Sequence, residues 1–117
     1  MITAQELIAA AKAEGNCLNA EEAATKVLEP GVLLVDIREP AEHEAAAVPI
    51  AVHIPRGILE FKITEACADP TQEIVLHCGG GGRASLAAQS LKSMGYENVY
   101  IVNAPFDVFA EAFKAKS

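Results

Sequence analysis

The sequence predicts an α/β domain built on a mainly parallel sheet. Short apolar runs bounded by turn residues alternate with stretches of helical periodicity, as in a chain that crosses over between parallel strands. Two of those runs end abruptly in polar or reactive residues, and in parallel sheets ligand sites lie beyond the carboxyl ends of the strands. The length, 117 residues, is that of one domain.

Two capping signatures open the chain. Thr3-Ala4-Gln5-Glu6 fits S/T-x-x-E, and a helix is expected from there to Gly15, which would supply a left-handed stop. Asn19-Ala20-Glu21-Glu22 is a looser version, and its helix is expected to run to about Leu28 and end at Pro30-Gly31. Val32–Val35 reads as a strand buried on both faces. Asp36, Arg38 and Glu39 follow it, then a short helix from Pro40 to Ala46. Ala51–Ile54 is a second strand, and Gly57 to about Ala66 a helix. Ile74–His77 is a third strand, running straight into Cys78-Gly79-Gly80-Gly81-Gly82-Arg83. A helix from Ala84 to Met94 is stopped by Gly95. Val99–Val102 is the fourth strand, and Pro105 to Lys116 a closing helix with Phe106, Phe109 and Phe113 on one face. There is no internal repeat and no low-complexity segment.

Composition narrows function. The formal net charge is -7, so a phosphate backbone or an anionic membrane surface is an unfavourable partner. No nucleic-acid or membrane partner is expected. No apolar run approaches the ~18 residues of a membrane span, and the first residues lack the basic and apolar regions of a signal peptide. The expected location is the cytoplasm. Cys17, Cys67 and Cys78 are odd in number and lack metal-like spacing, so reduced thiols are expected rather than a disulfide framework. Cys17 is expected to be a packing residue. Cys67 reads as a small apolar filler, with a second redox thiol as the alternative. His43 and His53 form no metal cluster and are expected to be structural or on the surface.

The Cys78 loop carries the chemistry. Glycines let several N–H groups converge on one point, and the helix that follows adds its positive end. A cysteine sulfur at that point is expected to be favoured as thiolate, and the same cradle would hold a persulfide. Gly80→Val is expected to weaken persulfide formation by blocking that convergence. Arg83 opposes the helix dipole, which points to a functional role or an acidic partner. The plain alternative, a core cysteine before an ordinary turn, explains one or two glycines but not four. Gly79-x-Gly81-x-x-Ala84 formally matches a dinucleotide fingerprint, but it follows the third strand rather than opening the domain. A P-loop lacks its Lys-Ser/Thr. As a protease base, His77 would point to the face opposite Cys78.

Taken together these motifs resemble the single-domain rhodanese family. Val35-Asp36-Ile37-Arg38-Glu39-Pro40 with Glu42 is similar to its D-x-R-x-x-x-E segment. Val48-Pro49 and Ala51 to Gly57 are similar to I-P-G-A-x-x-I-P, and Cys78 to Arg83 to the C-x-x-x-x-R active loop. Gly95-Tyr96-Glu97-Asn98-Val99 and Phe106-Asp107 are similar to the terminal G-Y-x-x-V and G-F-x-x-W, with Phe109 in the aromatic position. The resemblance spans about residues 17–113 of a single domain, with 1–16 as a helical extension. It implies a three-layer domain with helices on both sides of the sheet. It implies a sulfurtransferase that moves a sulfane sulfur from thiosulfate or a low-molecular-weight persulfide to a thiol, cyanide or protein acceptor. Cys78 would carry the sulfur as a persulfide, with no other cofactor and no metal, and the backbone of Gly79, Gly80, Gly81 and Gly82 would stabilise it. Arg83 would close the loop or meet donor charge. Asp36, Arg38 and Glu42 would support the loop, with Arg38 pairing Glu42. Arg56 is a candidate donor contact, or else solvated.

Two other functions stay open at this level. One is a non-turnover binding or sulfur-relay module. The other is a phosphatase or arsenate reductase, which the resemblance makes less favoured because those enzymes use a loop one residue longer. The family's usual loop side chains are glycine here, and Ala46-Ala47-Val48-Pro49-Ile50 lacks the histidine and glycine of G-H-I-P-G.

Overall fold

The computed structural model describes residues 1–117. In chain order the elements are α1 (Ala4–Glu14), β1 (Asn16–Leu18), α2 (Ala20–Val27), β2 (Leu33–Asp36), α3 (Pro40–Ala45), β3 (Val52–His53), α4 (Leu59–Ala66), β4 (Glu73–His77), α5 (Gly82–Met94), β5 (Asn98–Val102) and α6 (Phe106–Lys116). A 3-10 turn over Arg56–Ile58 leads into α4.

The five strands form one sheet in the order β1-β5-β4-β2-β3, and every neighbouring pair is parallel. Helices cover both faces, which is why the strands read as continuous apolar runs. On one side Val35, Ile74, Leu76 and Ile101 pack with Leu59, Ile63 and Leu91 of α4 and α5. On the other, Leu34, Val75 and Val102 pack with Ala23, Val27, Phe109 and Phe113 of α2 and α6. This is the three-layer arrangement. The register sets Asp36 beside His77 and Val35 beside Leu76, so the ends of β2 and β4 open on the same edge.

Both N-terminal capping boxes form. Glu6 N–H donates to Thr3 Oγ1 at 3.1 Å and Glu22 N–H to Asn19 Oδ1 at 2.8 Å, each with the reciprocal bond. Gly95 ends α5 at φ +109, the left-handed stop.

Three expectations change. Gly15 is extended, at φ -94, not left-handed. Glycine is required there by a close approach, since a Cβ would sit 2.6 Å from Ile101 Cδ1. The chain then enters a strand absent from the sequence reading, β1, whose Cys17 is exposed rather than packed. The strand expected at Ala51–Ile54 shrinks to the two residues of β3, so both edge strands are very short.

Candidate functional site

β4 ends at His77 and delivers Cys78 into the loop, where it is 2% exposed. Gly81 turns the chain at φ +100, a conformation L side chains rarely adopt. A Cβ there would also lie 3.1 Å from the carbonyl oxygen of Val102. The turn aims two amides inward: Gly81 N–H donates to Cys78 Sγ at 3.2 Å and Ala84 N–H at 3.4 Å. Ser85 secures the turn from within α5, donating to Gly81 O from its N–H at 2.9 Å and from its hydroxyl at 2.5 Å. From the other side, Phe106 N–H at the start of α6 donates to Gly79 O at 3.0 Å. The sulfur thus lies at the N-terminus of a 13-residue helix, where backbone dipoles favour negative charge.

The four glycines are not equivalent. At Gly79 a Cβ would approach an Arg83 guanidinium nitrogen to 2.9 Å, and at Gly82 it would press on Ile8 of α1 at 3.2 Å. At Gly80 it would meet nothing within 4 Å, and φ there is not positive. The expectation that Gly80 governs convergence of the amides is therefore corrected: Gly81 does.

Glu42 is the partner of Arg83, not of Arg38. Arg83 forms a fork on it, Nη1 to Oε1 at 2.7 Å and Nη2 to Oε2 at 3.1 Å. Glu42 Oε1 also accepts Glu39 N–H at 2.9 Å. The Arg83 hydrogen bonds, then that amide, pull the Glu42 carboxyl down to about 2, and Glu42 in turn pushes the Arg83 guanidinium up.

Arg38 instead binds Asp36, whose Oδ1 accepts Nε at 3.0 Å and the backbone N–H at 3.0 Å, and whose Oδ2 accepts Nη2 at 2.9 Å. It also donates to the carbonyls of Ala46 at 2.6 Å and Glu42 at 3.3 Å, and its guanidinium lies 3.7 Å from the centre of the Phe106 ring. A cation at the end of α3 suits that helix's carbonyls. Arg38 therefore fixes the helix from which Glu42 reaches Arg83. Burial opposes ionisation of Asp36, but the hydrogen bonds from Arg38 and His43 outweigh it and hold the carboxyl well below the usual range.

The histidines are structural. His43 Nδ1 lies 2.8 Å from Asp36 Oδ2 and His53 Nε2 lies 2.8 Å from Arg38 O. Both acceptors require the ring nitrogen to carry the proton. The rings stack, centroids 4.1 Å apart. His77 points away from Cys78, as strand alternation requires, and packs against Phe106 and Phe109 at 5.7 and 5.3 Å. It is 1% exposed with neither ring nitrogen hydrogen-bonded, and burial drives its pKa down to about 4.

Arg56 is engaged by Glu60 through two bonds of 3.0 and 2.9 Å, and Ser90 of α5 donates to the same carboxylate. The buried Cys67 thiol faces Asp69 O and Gln72 Oε1, both at 3.3 Å, and burial raises its pKa. No group of three or more His, Cys, Asp or Glu side chains is placed to hold a metal, and no helix is long and apolar enough to cross a membrane.

Two residues at the site have roles that their place in the sequence does not indicate. Phe106 anchors the loop, and its signals, a place on the apolar face of the closing helix and in the terminal aromatic motif, did not indicate that contact. Glu39 lies close enough to act on the Arg83 charge, and nothing in its spacing indicated that.

Residues 19–112 match the family described as the rhodanese-like domain. A protein of unknown function from Rhodopseudomonas palustris, named as a possible tyrosine phosphatase, has a similar structure. It is 27% identical, with a TM-score of 0.81 over 96% of this chain and 92% of that one. The polysulfide-sulfur transferase homodimer of Wolinella succinogenes is 30% identical, with a TM-score of 0.75 over 92% of this chain and 81% of that one. YrkF of Bacillus subtilis, named as a candidate sulfur carrier protein, is 36% identical over 66 residues. That match takes in 56% of this chain and 35% of YrkF, so the shared stretch is about a third of that relative's length.

Proposed function

Since the chain belongs to the rhodanese-like family, we propose that it is a sulfurtransferase working through a Cys78 persulfide. The donor is thiosulfate or a low-molecular-weight persulfide, and the acceptor is a thiol, cyanide or a protein. The observation that carries this reading is the pair of amides, Gly81 and Ala84, aimed at Cys78 Sγ from the start of α5.

In the first half-reaction the Cys78 thiolate attacks the outer sulfur of the donor. An Sγ–S bond forms, the donor's S–S bond breaks, and the remainder leaves with the electron pair as sulfite or as a thiolate. In the second, the acceptor attacks the outer sulfur of the persulfide and Cys78 leaves as thiolate. The fixed N–H groups favour anionic sulfur at both stages and need no rearrangement between them. Arg83 and Glu42 brace the loop, Arg38 and Asp36 brace α3, and Phe106 holds Gly79. The names of the Wolinella and Bacillus relatives fit this class of reaction.

The phosphatase name of one relative raises a second reading. Binding a tetrahedral phosphoryl dianion calls for a wider ring of donors and an available cation. Four residues separate Cys78 from Arg83, and that guanidinium is already forked on Glu42. Sulfur transfer is the better fit.

Intact mass after incubation with thiosulfate, or with glutathione persulfide, tests the proposal. The reduced parent protein should gain one sulfur atom and Cys78→Ser none. A parent protein that gains no sulfur from either donor, or a Cys78→Ser protein with full turnover, refutes it.

A further inference from the structure

Arg38, Arg56 and Arg83 are the only arginines in the chain, and each is paired with a carboxylate, Arg38 and Arg83 through two nitrogens and Arg56 through Nη1 alone. Arg83, the one cation of the Cys78 loop, has Glu42 on both its terminal nitrogens and Glu39 close enough to act on it as well. One positive charge against two negative ones leaves that side of the mouth net negative, in a chain whose own charge is -7. The loop adds no side chain, because all four intervening residues are glycine. Lys92 and Lys114 belong to the helices that start at the loop, α5 and α6, but they sit in the last turns of those helices, on the order of 10 Å or more along the axis. What the mouth offers a donor is backbone N–H groups and open space, notably above Gly80, where even a Cβ would meet nothing within 4 Å.

From this pairing of every arginine we infer the donor class: an organic persulfide or polysulfide of low charge, with dianionic thiosulfate disfavoured. The inference rests on the sulfur-transfer reading above. A dianion approaching a thiolate through a net negative mouth is repelled at every stage, and the loop's one cation is already paired. A singly charged or uncharged donor is repelled less, and the bare loop leaves room for its organic part. The chemistry balances for either donor: the Cys78 thiolate takes the outer sulfur, and sulfite or an organic thiolate departs with the electrons of the broken bond.

The test compares thiosulfate with benzenethiosulfonate, which also releases a sulfur oxyanion but carries one negative charge fewer. Second-order rates of Cys78 loading are read by intact mass, each divided by the rate of the same donor with N-acetylcysteine. The normalised rate should be at least about tenfold lower for thiosulfate, the size expected of one unit charge a few ångströms away in a half-solvated mouth. Raising the ionic strength from about 0.02 to about 0.3 M should speed thiosulfate selectively. Gly80→Arg, placed where there is space, should narrow the gap about tenfold, while the benzenethiosulfonate rate shifts less and shows that the loop still works. Equal or faster normalised loading by thiosulfate overturns the donor inference and leaves sulfur transfer standing. Loading by neither donor overturns both.

Discussion

Arg83 and Glu42 form a two-bond fork across 41 residues of sequence, joining the first turn of α5 to the first turn of α3. The fork closes the Cys78 loop from outside, while Ser85 and Phe106 close it from within and beneath. The loop is thus restrained at three points by groups that are not themselves nucleophiles.

The fork depends on pH. The folded Glu42 pKa, about 2, lies below its ordinary value of 4.5. A depressed carboxyl contributes stability that is present above the unfolded pKa and lost as pH falls through the folded one. Loop order should therefore hold down to about pH 4.5 and fall between there and about pH 2, with Asp36 acting in the same direction. Glu42→Gln should reduce protection of the Gly81 and Ala84 amides from hydrogen exchange already at pH 6.

His77 acts in the same direction at higher pH. Its folded pKa of about 4 lies below the ordinary 6.5, so the unfolded chain binds a proton that the native one refuses between those values. Stability should fall as pH drops from about 6.5 to about 4, by roughly 3 kcal/mol at most. His77→Leu should flatten that part of a denaturation-versus-pH curve. It should leave Cys78 loading at pH 7 unchanged, because the ring faces the α6 side of the sheet.

Gly81 and Gly80 should separate cleanly. Gly81→Ala must hold a side chain at φ +100 against the Val102 carbonyl, at a cost of about 1–2 kcal/mol, and it displaces one of the two amides on the sulfur. Sulfur loading should drop more than tenfold. Gly80→Ala should melt within a few degrees of the parent protein and load normally.

Arg38→Lys should be strongly destabilising, by about 3 kcal/mol, since a lysine cannot reproduce the fork on buried Asp36 together with the bond to the Ala46 carbonyl. Urea unfolding measures this. Glu42 would then be carried on a looser helix, so loading should slow even in the folded fraction.

Features governed by neighbours in the chain were legible. The capping boxes at Thr3 and Asn19, the left-handed Gly95 and the strand that delivers Cys78 all follow from local chemistry. Features governed by distant contacts were not. Asn16 to Leu18 carries no periodic signal and becomes a strand only because β5, some eighty residues later, supplies a parallel edge. The spacing of Arg38 and Glu42, four residues apart, suits a direct pair, but Asp36 is nearer the guanidinium and Arg83 arrives from another helix to take the carboxylate. The run of four glycines marked the loop, yet only packing against Val102 and the positive φ distinguish Gly81 from Gly80.

The shortness of the outer strands has a consequence for association. A sheet edge with a long row of unsatisfied amides and carbonyls is a template on which another chain can add a strand. Here one edge offers three residues and the other two. Growth of the sheet from molecule to molecule is thereby disfavoured, and the folded protein can be kept at high concentration without its β-structure polymerising.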